Sequence, residues 1–320
     1  MSTNLAPGVP AKQVSVVEHH WGGFRFASRV AYSATPQIAP VVMVGGAFQR
    51  KETWGPLAQT TLAVADVVTV DLPGWGEADT LPPSYGADFL AATLVRVLDD
   101  LGLDKVNLAG GSYGSSIAYR VAQKYPYRLR SMVLLGAMSR IPDGARERIT
   151  HTLTLLRQGR MEEFATECVA LMMCQDPALK VQHRTAINRI LLRRFASVTP
   201  DEVAQYLANT QRLLDHKAMD AKPAPTVPTL VVTGEHDPLT TPELCRALAA
   251  TCTDAWFATL ADADHLSYLE RSSEAADLAL RFYTGQPLTG LPYLRVSERV
   301  TPRPGTPAMR QPAEELIAAG

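Results

Sequence analysis

The sequence contains no run of apolar residues near the roughly 18 that a membrane-spanning helix needs, so no helical span is expected. Residues 1–13 lack the basic-then-apolar order of a secretory signal. Cysteine is scarce: Cys168, Cys174, Cys245 and Cys252 show no C-x-x-C spacing and no zinc-like pairing with histidine. They read as free thiols of a soluble, cytoplasmic protein rather than as disulfides or metal ligands. Excess charge is also missing. A formal net charge of -1 gives no electrostatic reason to expect nucleic acid or an anionic membrane as partner. No G-x-G-x-x-G fingerprint and no phosphate loop is present, so neither cofactor nor metal is expected. There is no internal repeat. Nothing in the composition indicates the oligomeric state.

What is present suits a globular enzyme. The 320 residues, 46% of them hydrophobic and 20% charged, suffice for one large α/β domain with an insertion. Short β-branched runs at 41–44, 67–70, 106–109, 132–135 and 230–232 are too short for helices. They also lack the alternation of half-exposed strands, as a parallel sheet covered on both faces requires. Residues 14–20 and 25–32, split by Gly22-Gly23, predict an antiparallel opening hairpin. Amphipathic stretches alternate with the runs, among them one through Phe89, Leu94 and Leu98 and another over 115–124. A last strand is expected over 255–260, then a helix over 266–282.

From about residue 139 to 228 the strand rhythm stops, and helices are expected over 145–156, 161–173, 179–195 and 200–214. The last opens on a capping box, Thr199-Pro200-Asp201-Glu202, with proline at the first helical position. The expected organisation is a core over 1–140 and 226–284, a helical cap over 141–225, and a Pro/Gly-rich tail over 285–320. The tail reads as a surface wrap or disordered extension with a short helix near 313–319.

The sharpest chemical signal is Gly110-Gly111-Ser112-Tyr113-Gly114, a G-x-S-x-G placed between a buried strand and a helix. Such a tight turn needs glycines where a β-carbon would collide, and it presents the serine above a helix N-terminus rich in free N–H groups. The plain structural alternative is a glycine-rich turn with a capping serine. A serine hydroxyl needs a base within hydrogen-bond reach. His265, just after the last strand, lies at the same carboxyl edge of the sheet; the other histidines fall in the hairpin, the insertion or beside Asp237. An acid must then fix the imidazole tautomer. Asp237, following strand 230–232, is the first candidate and Asp143 the second. Glu235 and His236 read as lining or solvated loop, and Asp262 and Asp264 as loop carboxylates, of which Asp264 would raise the imidazole pKa.

With these residues in place, the chain resembles the α/β-hydrolase superfamily over about 14–283, in the order Ser112…Asp237…His265. Asp71-Leu72-Pro73-Gly74-Trp75-Gly76-Glu77-Ala78-Asp79 is similar to that family's D-x-P-G-x-G-x-S-D turn, and Glu270 resembles a glutamate found past the histidine in capped members. The resemblance implies a mostly parallel, doubly wound sheet of the α/β-hydrolase type with the helical cap inserted after the sixth strand. By the same match, Ala47 and Tyr113 would form the oxyanion hole, while Phe48 and Gln49 are candidate substrate-binding residues. The chain departs from the family in three places: Gly45 replaces the loop histidine, Ser115 replaces a second glycine, and Ala261-Asp262-Ala263-Asp264 leads to the histidine.

The expected activity is hydrolysis of an ester, thioester or similar acyl bond in a medium-sized, partly apolar small molecule. An acyltransferase and a C–C bond hydrolase or lyase would use the same three side chains, and a binding protein on the same scaffold would need none of them. A serine nucleophile disfavours epoxide hydrolase and dehalogenase chemistry, and the H-G-G-P-G loop of proline-releasing peptidases is absent.

Overall fold

The computed structural model describes residues 14–216 and 219–300. The hairpin forms as expected: β1 (Val14–Trp21) and β2 (Phe24–Ala31) pair antiparallel across Gly22-Gly23. β3 (Val41–Val44), β4 (Val67–Asp71), β5 (Val106–Gly111), β6 (Leu129–Leu135), β7 (Thr229–Gly234) and β8 (Ala255–Leu260) run parallel. With β9 (Leu294–Val300) they make a nine-stranded sheet in the order β1-β2-β4-β3-β5-β6-β7-β8-β9.

Every residue of β3, β4 and β5 is buried, which is why they lack the alternation of half-exposed strands. One face is covered by α2 (Ala87–Asp100), α3 (Tyr113–Lys124) and α8 (Pro242–Ala249), the other by α1 (Gly55–Thr61) and α10 (Ser272–Tyr283). Strand order turns back at β3, which lies between β4 and β5. The loops leaving β3 and β5 therefore open a crevice at the carboxyl edge, where doubly wound sheets bind ligands.

Between β6 and β7 stand α4 (Asp143–Arg157), α5 (Met161–Met172), α6 (Arg184–Ala196) and α7 (Pro200–Asp215), packed around buried Phe164, Cys168 and Phe195. The capping box is formed, with Glu202 N–H donating to Thr199 Oγ1 at 3.3 Å. The buried face of α7 is polar. Gln205, Asn209 and Arg212 donate to the carbonyls of Ala78, Gly74 and Leu81, pinning the helix to the turn after β4.

Three expectations are corrected. The helix expected over 179–195 begins only at Arg184, because the preceding segment is tied to the loop after β8. Gln182 N–H donates to Asp262 O at 2.8 Å, Lys180 pairs with Asp262, and His183 takes a left-handed φ of 56°. The helix expected over 266–282 is broken into α9 (Ser267–Glu270) and α10, because Glu270 turns inward to accept the Asp264 N–H. The region expected as a tail contributes a strand: β9 pairs antiparallel with β8 and buries Val300, and Leu288 joins the core. The helix expected near 313–319 lies outside the described residues. Among the described residues no helix is long and apolar enough to cross a membrane.

Candidate active site

β5 ends in the tight turn the glycines foretold. Ser112 sits at φ 49°, ψ -113°, a backbone conformation that costs an L-residue about 1–3 kcal/mol and is held from both sides. Its N–H donates to Leu135 O at 2.7 Å, and its carbonyl accepts the Ser115 N–H at 2.9 Å. A β-carbon on Gly114 would lie 2.1 Å from Val44 O, and one on Gly110 would lie 2.6 Å from Gly114 O. Gly114→Ala is therefore expected to cost about 3 kcal/mol or more of stability, as forced overpacking against backbone does; urea unfolding measures it. Ser115, the departure from a second glycine, fits because its Oγ donates to Gly110 O at 2.8 Å.

The structure brings Ser112, His265 and Asp237 into one hydrogen-bonded line. Ser112 Oγ stands 3.0 Å from His265 Nε2, and His265 Nδ1 stands 2.9 Å from Asp237 Oδ2. Beside a carboxylate, Nδ1 carries the proton, which leaves Nε2 free to accept from the serine. Asp237 Oδ1 accepts the N–H groups of Leu239 and Thr240, each at 2.8 Å, and Oδ2 accepts the Thr233 hydroxyl at 2.6 Å. Burial works to raise the Asp237 pKa, but the His265 charge and these donors hold it below its ordinary value. For His265 burial opposes the charged form, yet Asp237, aided by Asp264, raises the imidazole above its ordinary 6.5. Asp143, the second acid candidate, is exposed at the start of α4.

Further residues support this line. Gly136, at φ 62°, lets the His265 ring approach so closely that a β-carbon would lie 3.0 Å from its Cε1. Beneath the His265 loop, burial and the Asp264 carboxylate push Glu270 up to about 10. Asp264 in turn accepts the Cys174 N–H at 3.0 Å. Thr233, Thr240 and Gly136 are contacts that sequence reasoning missed. The threonines flank Asp237 at short spacing, but only their orientation reveals them.

Ala47, from the loop after β3, and Tyr113, the first residue of α3, line the same cavity as Ser112. Neither N–H is used in a hydrogen bond among the described residues. The turn after β4 supports this edge: Trp75 Nε1 donates to Gly46 O at 3.0 Å, and Asp71 Oδ1 accepts the Lys51 N–H at 2.7 Å. The cavity measures about 120 Å³ and is walled by Met138, Ile149, Leu171 and Leu213, with the Tyr206, Asn209 and Thr210 side chains as polar points. Phe48 lines it. Gln49 does not; its Oε1 accepts the Gly46 N–H at 3.0 Å and braces the loop from behind. Among the described residues no group of three or more His, Cys, Asp or Glu side chains is placed to hold a metal ion.

A sheet of this order, with Ser112 at the turn after β5 and helices inserted after β6, defines a class that the comparisons identify. The sequence pattern of the alpha/beta hydrolase fold matches residues 39–272, and the chain belongs to that family. The 2-hydroxy-6-oxononadienedioate/2-hydroxy-6-oxononatrienedioate hydrolase of Paraburkholderia phymatum is 28% identical over 240 residues, 71% of this chain and 79% of that one. The poly(3-hydroxyalkanoate) depolymerase of Ectopseudomonas oleovorans is 23% identical over 257 residues, 77% of this chain and 85% of that one. Among solved structures, MGS-M2, an alpha/beta hydrolase enzyme from a Medee basin deep-sea metagenome library, shares the fold with a TM-score of 0.74. It is 19% identical, over 86% of this chain and 100% of that one.

Proposed function

We propose that this hydrolase-family protein is a serine hydrolase cleaving an ester, thioester or similar acyl bond of a medium-sized, partly apolar small molecule through an acyl-enzyme. The observation that carries this is the hydrogen-bonded line Ser112–His265–Asp237, opening on a largely apolar cavity. In the first half-reaction His265 Nε2 takes the Ser112 proton while Oγ attacks the carbonyl carbon. Ala47 and Tyr113 N–H groups receive the developing oxyanion; one such donor is typically worth about 3–4 kcal/mol of barrier. The intermediate collapses as His265 returns the proton to the leaving alcohol or thiol. In the second half-reaction His265 deprotonates a water that attacks the acyl carbon. Ser112 regains its proton, and the acid departs.

Residues 141–225 act as a cap that supplies the apolar wall of the site. The side chains lining the cavity include no lysine, arginine, aspartate or glutamate among the described residues, which favours an uncharged acyl group. All four cysteines are buried and free, which supports a reducing, cytoplasmic setting. Fluorophosphonate labelling read by intact mass tests the assignment. Wild type is expected to gain one label and Ser112→Ala none; equal labelling of both proteins would remove Ser112 as nucleophile.

A further inference from the structure

Phe48 has a conformation its residue type does not favour. Gly46 to Gln49 close a turn, with Gln49 N–H donating to Gly46 O at 3.2 Å, and Phe48, third of the four, has φ 61°. Turns with a positive φ at that place normally put glycine or asparagine there. A bulky aromatic residue is strained. Its ring, however, is held by one aromatic from each of three cap helices. Tyr206 of α7 stacks on it at 4.4 Å and 15°, Phe195 of α6 lies at 4.9 Å, and Phe164 of α5 meets it nearly edge-on at 6.0 Å. A polar contact runs alongside: Arg50 donates to Glu202 of α7 at 2.6 Å, and Arg194 of α6 pairs with the same carboxylate. The Ala47 N–H lies one peptide plane from the strained residue.

We infer that Phe48 is a positioning residue through which the cap sets the oxyanion loop, an inference that rests on the serine-hydrolase reading above. The aromatic contacts supply the stabilisation that the strained turn lacks. Without them φ relaxes to negative values, the flanking peptide planes rotate, and the Ala47 N–H leaves the place where the oxyanion forms. The cap aromatics and the oxyanion loop are then one mechanical unit, already assembled around Phe48.

The test compares kcat and KM on one acyl ester for wild type, Phe48→Ala, Phe48→Gly, Phe195→Ala and Phe195→Leu. Phe195 touches Phe48 but does not line the cavity, so its loss removes no direct substrate contact. Phe195→Ala is expected to lower kcat about tenfold with KM within about twofold, as loss of a transition-state interaction does, and Phe195→Leu to fall between it and wild type. Glycine pays no penalty at φ 61° whereas alanine does, so Phe48→Gly is expected to retain about fivefold more kcat than Phe48→Ala. A residue that merely lines the pocket would make the two Phe48 variants equal and leave both Phe195 variants at wild-type kcat, and that result would overturn the inference. Should Phe195→Ala not fold, the half-buried Phe48 pair and Phe195→Leu still decide it. Fluorophosphonate labelling of the same proteins separates the two levels. An unlabelled wild type sinks the serine reading itself, while labelled wild type with unaltered Phe195 variants sinks only the coupling.

Discussion

Ser112→Ala is expected to lower kcat by about 10⁵-fold or more while leaving the fold intact, since removing a nucleophile that acts as one unit with its base removes most of their joint effect. The alanine would keep the backbone bonds of Ser112 to Leu135 and Ser115. What it loses is the Oγ that stands 3.0 Å from His265 Nε2. Substrate affinity should change little, because the cavity walls are untouched. Turnover within tenfold of wild type would show that water attacks the substrate directly.

Asp237→Asn is expected to lower kcat by about 10⁴-fold, the size of effect seen when a triad carboxylate becomes an amide. An amide cannot favour the Nδ1-protonated tautomer, nor stabilise the imidazolium that would form in the proposed attack by Ser112. The pH profile gives a second reading. His265 works as a base only when neutral, and Asp237 raises its pKa against the effect of burial. In wild type kcat/KM should therefore fall as pH drops through a value above 6.5, the ordinary imidazole value. In Asp237→Asn the raising charge is gone and burial dominates, so this limb should move to lower pH. A limb that stays in place would assign the raised pKa to Asp264.

The parts of the fold that could be read in advance are those written locally. The β5–turn–α3 unit was legible because Gly110 and Gly114 bracket Ser112 between a buried apolar run and a helix. Asp237 and His265 were placed by the rule that loops leaving parallel strands share one edge. The missed features depend on distant partners. β9 alternates Leu294, Val296 and Val300 with polar residues, but Pro and Gly around it masked a strand that needs β8 as its template. The break at Arg271 follows from Glu270 turning toward Asp264, which no helical periodicity records. Gln49 was expected at the substrate and instead braces Gly46, while the strained Phe48 owes its conformation to rings more than a hundred residues away in sequence. Local pattern carries the scaffold; side-chain direction comes from packing across the chain.

The most direct measurement is a rapid-quench experiment with an activated acyl ester, read by intact mass and peptide mapping. Wild type should show a transient gain of one acyl group on the peptide carrying Ser112, decaying as the free acid appears. Steady consumption of the ester with no adduct on that peptide at any time would contradict a covalent serine mechanism and leave His265 and Asp237 to act on water instead.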